Sequence, residues 1–88
     1  QYEEPIILPS ALKHGVSEND ILHAYRESRG PVYVNYDRDP PTIMYVGPGV
    51  SGAVWYEIGT ARRRGFPQEL IVHAMKARKG YLEKEGLK

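Results

Sequence analysis

Apolar and polar positions change their period along this chain, and each change marks a new element. Ile21, Leu22, Ala24 and Tyr25 recur at the spacing of one helical face. Ser17 precedes this stripe as an N-cap, and Asp20 follows three residues later as a short capping-box acid. Val16, just before the cap, is placed to staple onto Ile21. Arg26 and Arg29 suit the negative end of a helix, and Gly30-Pro31 stops it. Together these signals predict a helix over 18–28.

From Val32 the period becomes two. Val32, Val34 and Tyr36 fall on one side and Tyr33 and Asn35 on the other, the pattern of a strand. Asp37-Arg38-Asp39-Pro40-Pro41 is a turn. Thr42 to Val46 reads as the next strand, ended by Gly47-Pro48-Gly49. Ala53 to Gly59 and Leu70 to Met75 give two more, separated by a basic loop over 62–68. The tail from Ala77 to Glu85 has helix-forming composition interrupted by Gly80. Before the first helix, Ile6-Ile7-Leu8 between Pro5 and Pro9 reads as an extended lead-in over 1–11, suited to a sheet edge and not to its centre.

Short connections between successive strands favour antiparallel pairing. The expected fold is α+β: a three- to four-stranded antiparallel sheet with the N-terminal helix and a short C-terminal helix packed on one face. A chain of 88 residues makes a single domain, here expected over 1–88 with its core over 12–85. If Thr60 lies opposite Leu70, then Val54, Tyr56 and Ile58 share an apolar face with Leu70, Val72 and Ala74. The other face collects Trp55, Glu57, Ile71, His73 and Met75, with Glu57 directly across from His73. Such a mixed face suits either a shallow binding surface or an ordinary solvated sheet face.

Composition narrows the chemistry. Cysteine is absent, which removes disulfides and thiolate metal sites and fits a reducing compartment. No apolar run approaches the ~20 residues of a membrane span. Glu3 and Glu4 stand where a secretory signal would carry basic residues, so the cytoplasm is the expected location. A net charge of +1 gives no global attraction for nucleic acid. Cations nevertheless gather late in the chain, at Arg62, Arg63, Arg64, Lys76, Arg78, Lys79, Lys84 and Lys88, where a polyanion would be expected to dock.

Gly47-Pro48-Gly49 lacks the lysine and helix start of a phosphate-cradling loop, and no serine elbow is visible. His14, His23 and His73 are too far apart for metal-ligand spacing, so neither a metal nor a cofactor is expected. His23, beside Ile21 and Leu22, reads as structural. His14 and Lys13, just before the helix, suit an anion at its N-terminus or simple packing. Tyr33, Tyr36, Tyr45, Tyr56 and Tyr81 are mostly core and rim, and those that reach an open face could stack on bases.

Three stretches in order resemble the BrnT-like toxins of bacterial toxin–antitoxin systems. They are Lys13-His14-Gly15-Val16-Ser17, the pair Thr42–Gly47 and Val54–Gly59, and Ile71-Val72-His73-Ala74-Met75-Lys76-Ala77-Arg78-Lys79. The resemblance spans most of residues 12–85, and the segment Arg62–Pro67 is longer than that pattern. It implies a RelE-like fold, metal-independent RNA cleavage that inhibits translation, and a DNA-binding antitoxin as protein partner. Lys13, His14, Arg78 and Lys79 match its motif positions.

Such cleavage needs a base for the 2′-hydroxyl, an acid for the leaving oxygen and cations for the phosphate. The expected roles are Glu57 as base, His73 as acid, and Arg78 with Lys76 or Lys79 as cations. Lys13, His14, Arg62, Arg63 and Arg64 would hold the RNA backbone. The alternative is a non-catalytic interaction module that docks a protein on Trp55 and Met75.

Overall fold

The structure, a computed structural model, describes residues 4–87. The elements in chain order are β1 (Ile6–Ile7), a 3-10 turn (Pro9–Ala11), α1 (Glu18–Arg26), β2 (Arg29–Asn35), β3 (Thr42–Pro48), β4 (Trp55–Ala61), β5 (Leu70–Lys76) and α2 (Lys79–Lys84). The strands form one sheet in the order β1-β5-β4-β3-β2. Strands β2 to β5 are an antiparallel meander, and β1 pairs parallel to β5 through Ile6↔Leu70 and Ile7↔Ile71.

The fold is α+β, as expected, but the sheet is mixed and has five strands among the described residues. The fifth comes from the lead-in, of which residues 1–3 lie outside the described residues. It is not extended throughout. Pro5 and Pro9 confine β1 to two residues, and the chain then turns so that Ala11 enters the core. Among the described residues no helix is long and apolar enough to cross a membrane.

Helix α1 begins at the predicted cap: Ser17 Oγ accepts from the Asp20 amide at 3.2 Å. Asp20 does not close a capping box. Its Oδ1 instead accepts from the Val50 amide at 2.8 Å, tying the helix start to the β3–β4 turn. Ile21 and Ala24 pack on Ile58, Ile71 and Ala74, all fully buried. Gly47 makes this contact possible, because a Cβ there would overlap the Ala24 backbone. His23 is structural, its Nδ1 bonded to the Pro48 carbonyl at 2.8 Å.

The two helices cover opposite faces of the sheet, not one. Along β4, Ile58 faces α1, so its neighbour Glu57 and the paired Val46 face the other way. There Val46, Met44 and Val32 form a second core with Trp55, Tyr81 and Leu82. Both faces of the central strands are apolar and both need cover. The Lys84 ammonium pins α2 to the sheet edge by donating to the Val32 carbonyl at 2.9 Å.

Strands β4 and β5 pair as Glu57↔Met75, Ile58↔Ala74 and Gly59↔His73, then shift to Thr60↔Ile71. Glu57 is therefore opposite Met75, two residues from the expected register. Val72 is the extra residue of a β-bulge, which reverses the side-chain alternation beyond it. Ile71 consequently joins the α1 core, and Val72 lies on the side of His73. Both had been expected on the opposite faces.

Candidate functional site

The face opposite α1 is organised in rows that run across the strands. One row is Val46, Glu57 and Met75; the next is Tyr33, Met44, Gly59 and His73. Helix α2 lies over the first row and leaves the second at its border. The site forms along that border.

Glu57 is its centre, with 0% exposure. Its Oε2 meets His73 Nε2 at 2.8 Å and Arg78 Nη2 at 2.8 Å. Its Oε1 accepts from Arg78 Nε at 3.1 Å and from the Arg78 backbone amide at 3.0 Å. One residue thus supplies a forked guanidinium and the amide that leads into α2. Burial pushes the Glu57 carboxyl up, but the bonds from His73 and Arg78, with the Arg78 charge, hold it below the ordinary 4.5, at about 2. The same carboxylate raises the pKa of Arg78 through its hydrogen bond.

An ionised carboxylate only accepts hydrogen bonds, so His73 Nε2 must carry the proton toward Glu57. That leaves Nδ1, which has no hydrogen-bond partner among the described residues, as the basic nitrogen. The His73 side chain is 25% exposed and that of Arg78 is 60% exposed, so both reach solvent while their shared anion does not. Glu57 is therefore unsuited to the role of base. It is sealed, saturated and weakly basic, and it positions His73 and Arg78.

Above this triad opens a cleft of about 500 Å³. Lys13, Arg38, His73 and Arg78 line it, together with Tyr33 and Tyr81, and among the described residues no Asp or Glu does. A wider hollow of about 810 Å³ continues from it over Asn35, Arg38, Thr42 and Val72, and there Asp37 and Asp39 balance Arg38 and Arg63. The cationic part is the end next to His73. Gly59 is buried beneath it, packed so closely that a Cβ would come within 2.9 Å of His73 Cβ and 3.0 Å of Met44 Sδ.

The structure brings together Glu57, His73 and Arg78, adds Lys13 to the same cleft, and sets the His14 ring edge-on to His73 at 5.7 Å. It separates the others. Lys76 pairs with Tyr56 on the α1 face, across the sheet from His73. Lys79 is almost fully exposed on α2 and lies 4.0 Å from Glu83, outside the cleft. In the β4–β5 loop Arg62 bonds to the Pro67 carbonyl, Arg63 lies over Phe66 and lines only the outer hollow, and Arg64 lines neither. Trp55, of the patch expected on Trp55 and Met75, is partly buried against the core of Val32, Met44 and Val46.

The sequence pattern places Arg38 only in a turn, yet it lines both hollows. A cation in the turn after Asn35, on the strand whose Tyr33 faces the cleft, is the signal that could have found it. Among the described residues no three His, Cys, Asp or Glu side chains come together to hold a metal ion. Comparison of the chain with protein-family models, with curated proteins and with solved structures finds no match, so its function is argued from these residues and their geometry.

Proposed function

We propose that the cleft binds RNA and cleaves it without a metal, and that the protein acts as a toxin on translation in the cytoplasm. One observation carries the reading: a cleft lined by Lys13, Arg38, Arg78 and His73 takes no carboxylate from the described residues on its surface, while the acid beneath it holds two of those groups in place. In a chain of net charge +1, that local excess is suited to a phosphodiester.

In this mechanism His73 Nδ1 takes the proton of a ribose 2′-hydroxyl. The 2′-oxygen attacks the adjacent phosphorus, the bond to the 5′-oxygen breaks, and the strand ends in a 2′,3′-cyclic phosphate. Protonated His14, edge-on to His73 at 5.7 Å, gives its proton to the leaving 5′-oxygen. The free guanidinium edge of Arg78 and the Lys13 ammonium face the charge that develops on the phosphoryl oxygens. Glu57 keeps the imidazole in its productive tautomer and never meets the substrate.

The test is cleavage of an mRNA in excess chelator, with mass analysis of the new ends. Wild type should leave cyclic phosphate, and His73→Ala and Arg78→Ala should lose at least a hundredfold in rate. Full activity in both folded variants would remove the mechanism. The resemblance to BrnT-like toxins adds an antitoxin protein as partner: expression alone should arrest growth, and co-expression of the neighbouring small gene should restore it.

A further inference from the structure

Tyr33 stands in register with His73 across the sheet, through Met44 and Gly59, on the same face. Three inter-strand spacings separate the ring from the imidazole, roughly 14 Å. Both line the same cleft. The flanking Val32 and Met44 are 6% and 5% exposed, whereas Tyr33 is 46% exposed, a large aromatic left in contact with water. Tyr36 is more exposed still, at 79%, but lines neither hollow.

The Tyr33 ring is also held in place. It lies nearly parallel to Tyr81, with centroids 6.3 Å apart and planes at 19°, and the Lys84 ammonium is 6.0 Å from its centroid. Arg78 sits over Tyr81 at 4.8 Å, so one guanidinium connects the aromatic pair to the His73 end of the cleft.

We propose that Tyr33 is a stacking platform for an unpaired nucleobase, which makes single-stranded RNA the substrate of this cleft; this rests on the reading of the cleft as an RNA site. A rigid aromatic face beside cations that track a backbone is the arrangement that binds single strands with little sequence preference. A duplex cannot use it, because its bases are stacked within the helix and its reading depends on shape and 2′-hydroxyls. The strand would lie across the four meander strands, with a base on Tyr33 and the scissile phosphate at His73.

The experiment is fluorescence anisotropy with a short labelled 2′-O-methyl RNA, which lacks the nucleophile and stays intact, alone and annealed to its complement. The single strand should bind at least tenfold more tightly than the duplex at the same salt. Tyr33→Leu should weaken single-strand binding about tenfold, Tyr33→Phe should keep it, Tyr33→Trp should strengthen it, and Tyr36→Ala should leave it unchanged. Equal binding of both probes, or wild-type affinity in a folded Tyr33→Leu, overturns the platform. Binding of neither probe by the wild type overturns the platform and the RNA reading together. Single-strand preference without any cleavage of natural RNA keeps the platform and removes the nuclease.

Discussion

His73 and Glu57 stand on neighbouring strands two residues out of direct opposition, and imidazole Nε2 meets the carboxylate at 2.8 Å. The residue directly opposite His73 is Gly59, which has no side chain to fill the space between them. The diagonal bond therefore forms within the row structure of the sheet, with the carboxylate under cover and the imidazole at the surface.

Acid should unfasten this bond. The Glu57 carboxyl is held at about 2 against an ordinary 4.5. Its contribution to stability is complete above the unfolded value and is lost as pH falls toward 2, an effect of about 3 kcal/mol. Denaturant unfolding between pH 7 and pH 2 should show that loss in the wild type. Glu57→Gln should be less stable at pH 7 by a similar amount and should lack this acid-range slope. Parallel profiles for the two proteins would contradict the assignment.

The imidazole should exist as one tautomer. At a pH where His73 is neutral, long-range proton–nitrogen correlation should show hydrogen on Nε2 and a bare Nδ1. In Glu57→Gln the two forms should mix, because the amide can either donate or accept. Hydrogen on Nδ1 in the wild type would rule out His73 as the base described above.

Two glycines should respond oppositely to alanine. Gly47→Ala drives a Cβ into the Ala24 backbone and should cost about 3 kcal/mol or more, visible as a lower denaturation midpoint. Gly59→Ala meets His73 Cβ and the flexible Met44 side chain. It should cost less stability but shift the imidazole, lowering kcat about a hundredfold with little change in KM. An active Gly59→Ala would show that the close packing at Gly59 does not position His73.

Salt should separate the cations. Each phosphate contact with a single strand contributes about 0.7 to the slope of log affinity against log salt concentration. Lys13→Ala and Arg38→Ala should each reduce that slope by about this amount, whereas Lys76→Ala, on the other face of the sheet, should not. A reduced slope for Lys76→Ala would place the RNA path elsewhere.

Local signals in the chain are strong where they are short-range. The Ser17 cap, the stripe from Ile21 to Tyr25 and the alternation in the meander strands locate α1 and β2 to β5 within a few residues. What depends on one extra residue is hidden. The bulge at Val72 exchanges the faces of Ile71 and Val72, and nothing in the Leu70–Met75 run announces it, since Leu70, Ile71 and Val72 are all apolar and suit either face. The triad of Glu57, His73 and Arg78 was legible as residue types, but its roles were not. Whether an acid is a base or a buried support depends on burial, which alternation alone does not reveal. Adjacency along the chain groups Lys76 and Lys79 with Arg78, yet a strand end and a helix start send three nearby cations in different directions.

Arg78 gives its amide and its guanidinium to one carboxylate, and that amide lies at the threshold of α2. Fraying of this helix and loss of the guanidinium from the cleft are thus a single event. Hydrogen exchange at the Arg78 amide reads out the fraction of molecules whose site is complete, and any force that lifts α2 reaches the chemistry through one residue.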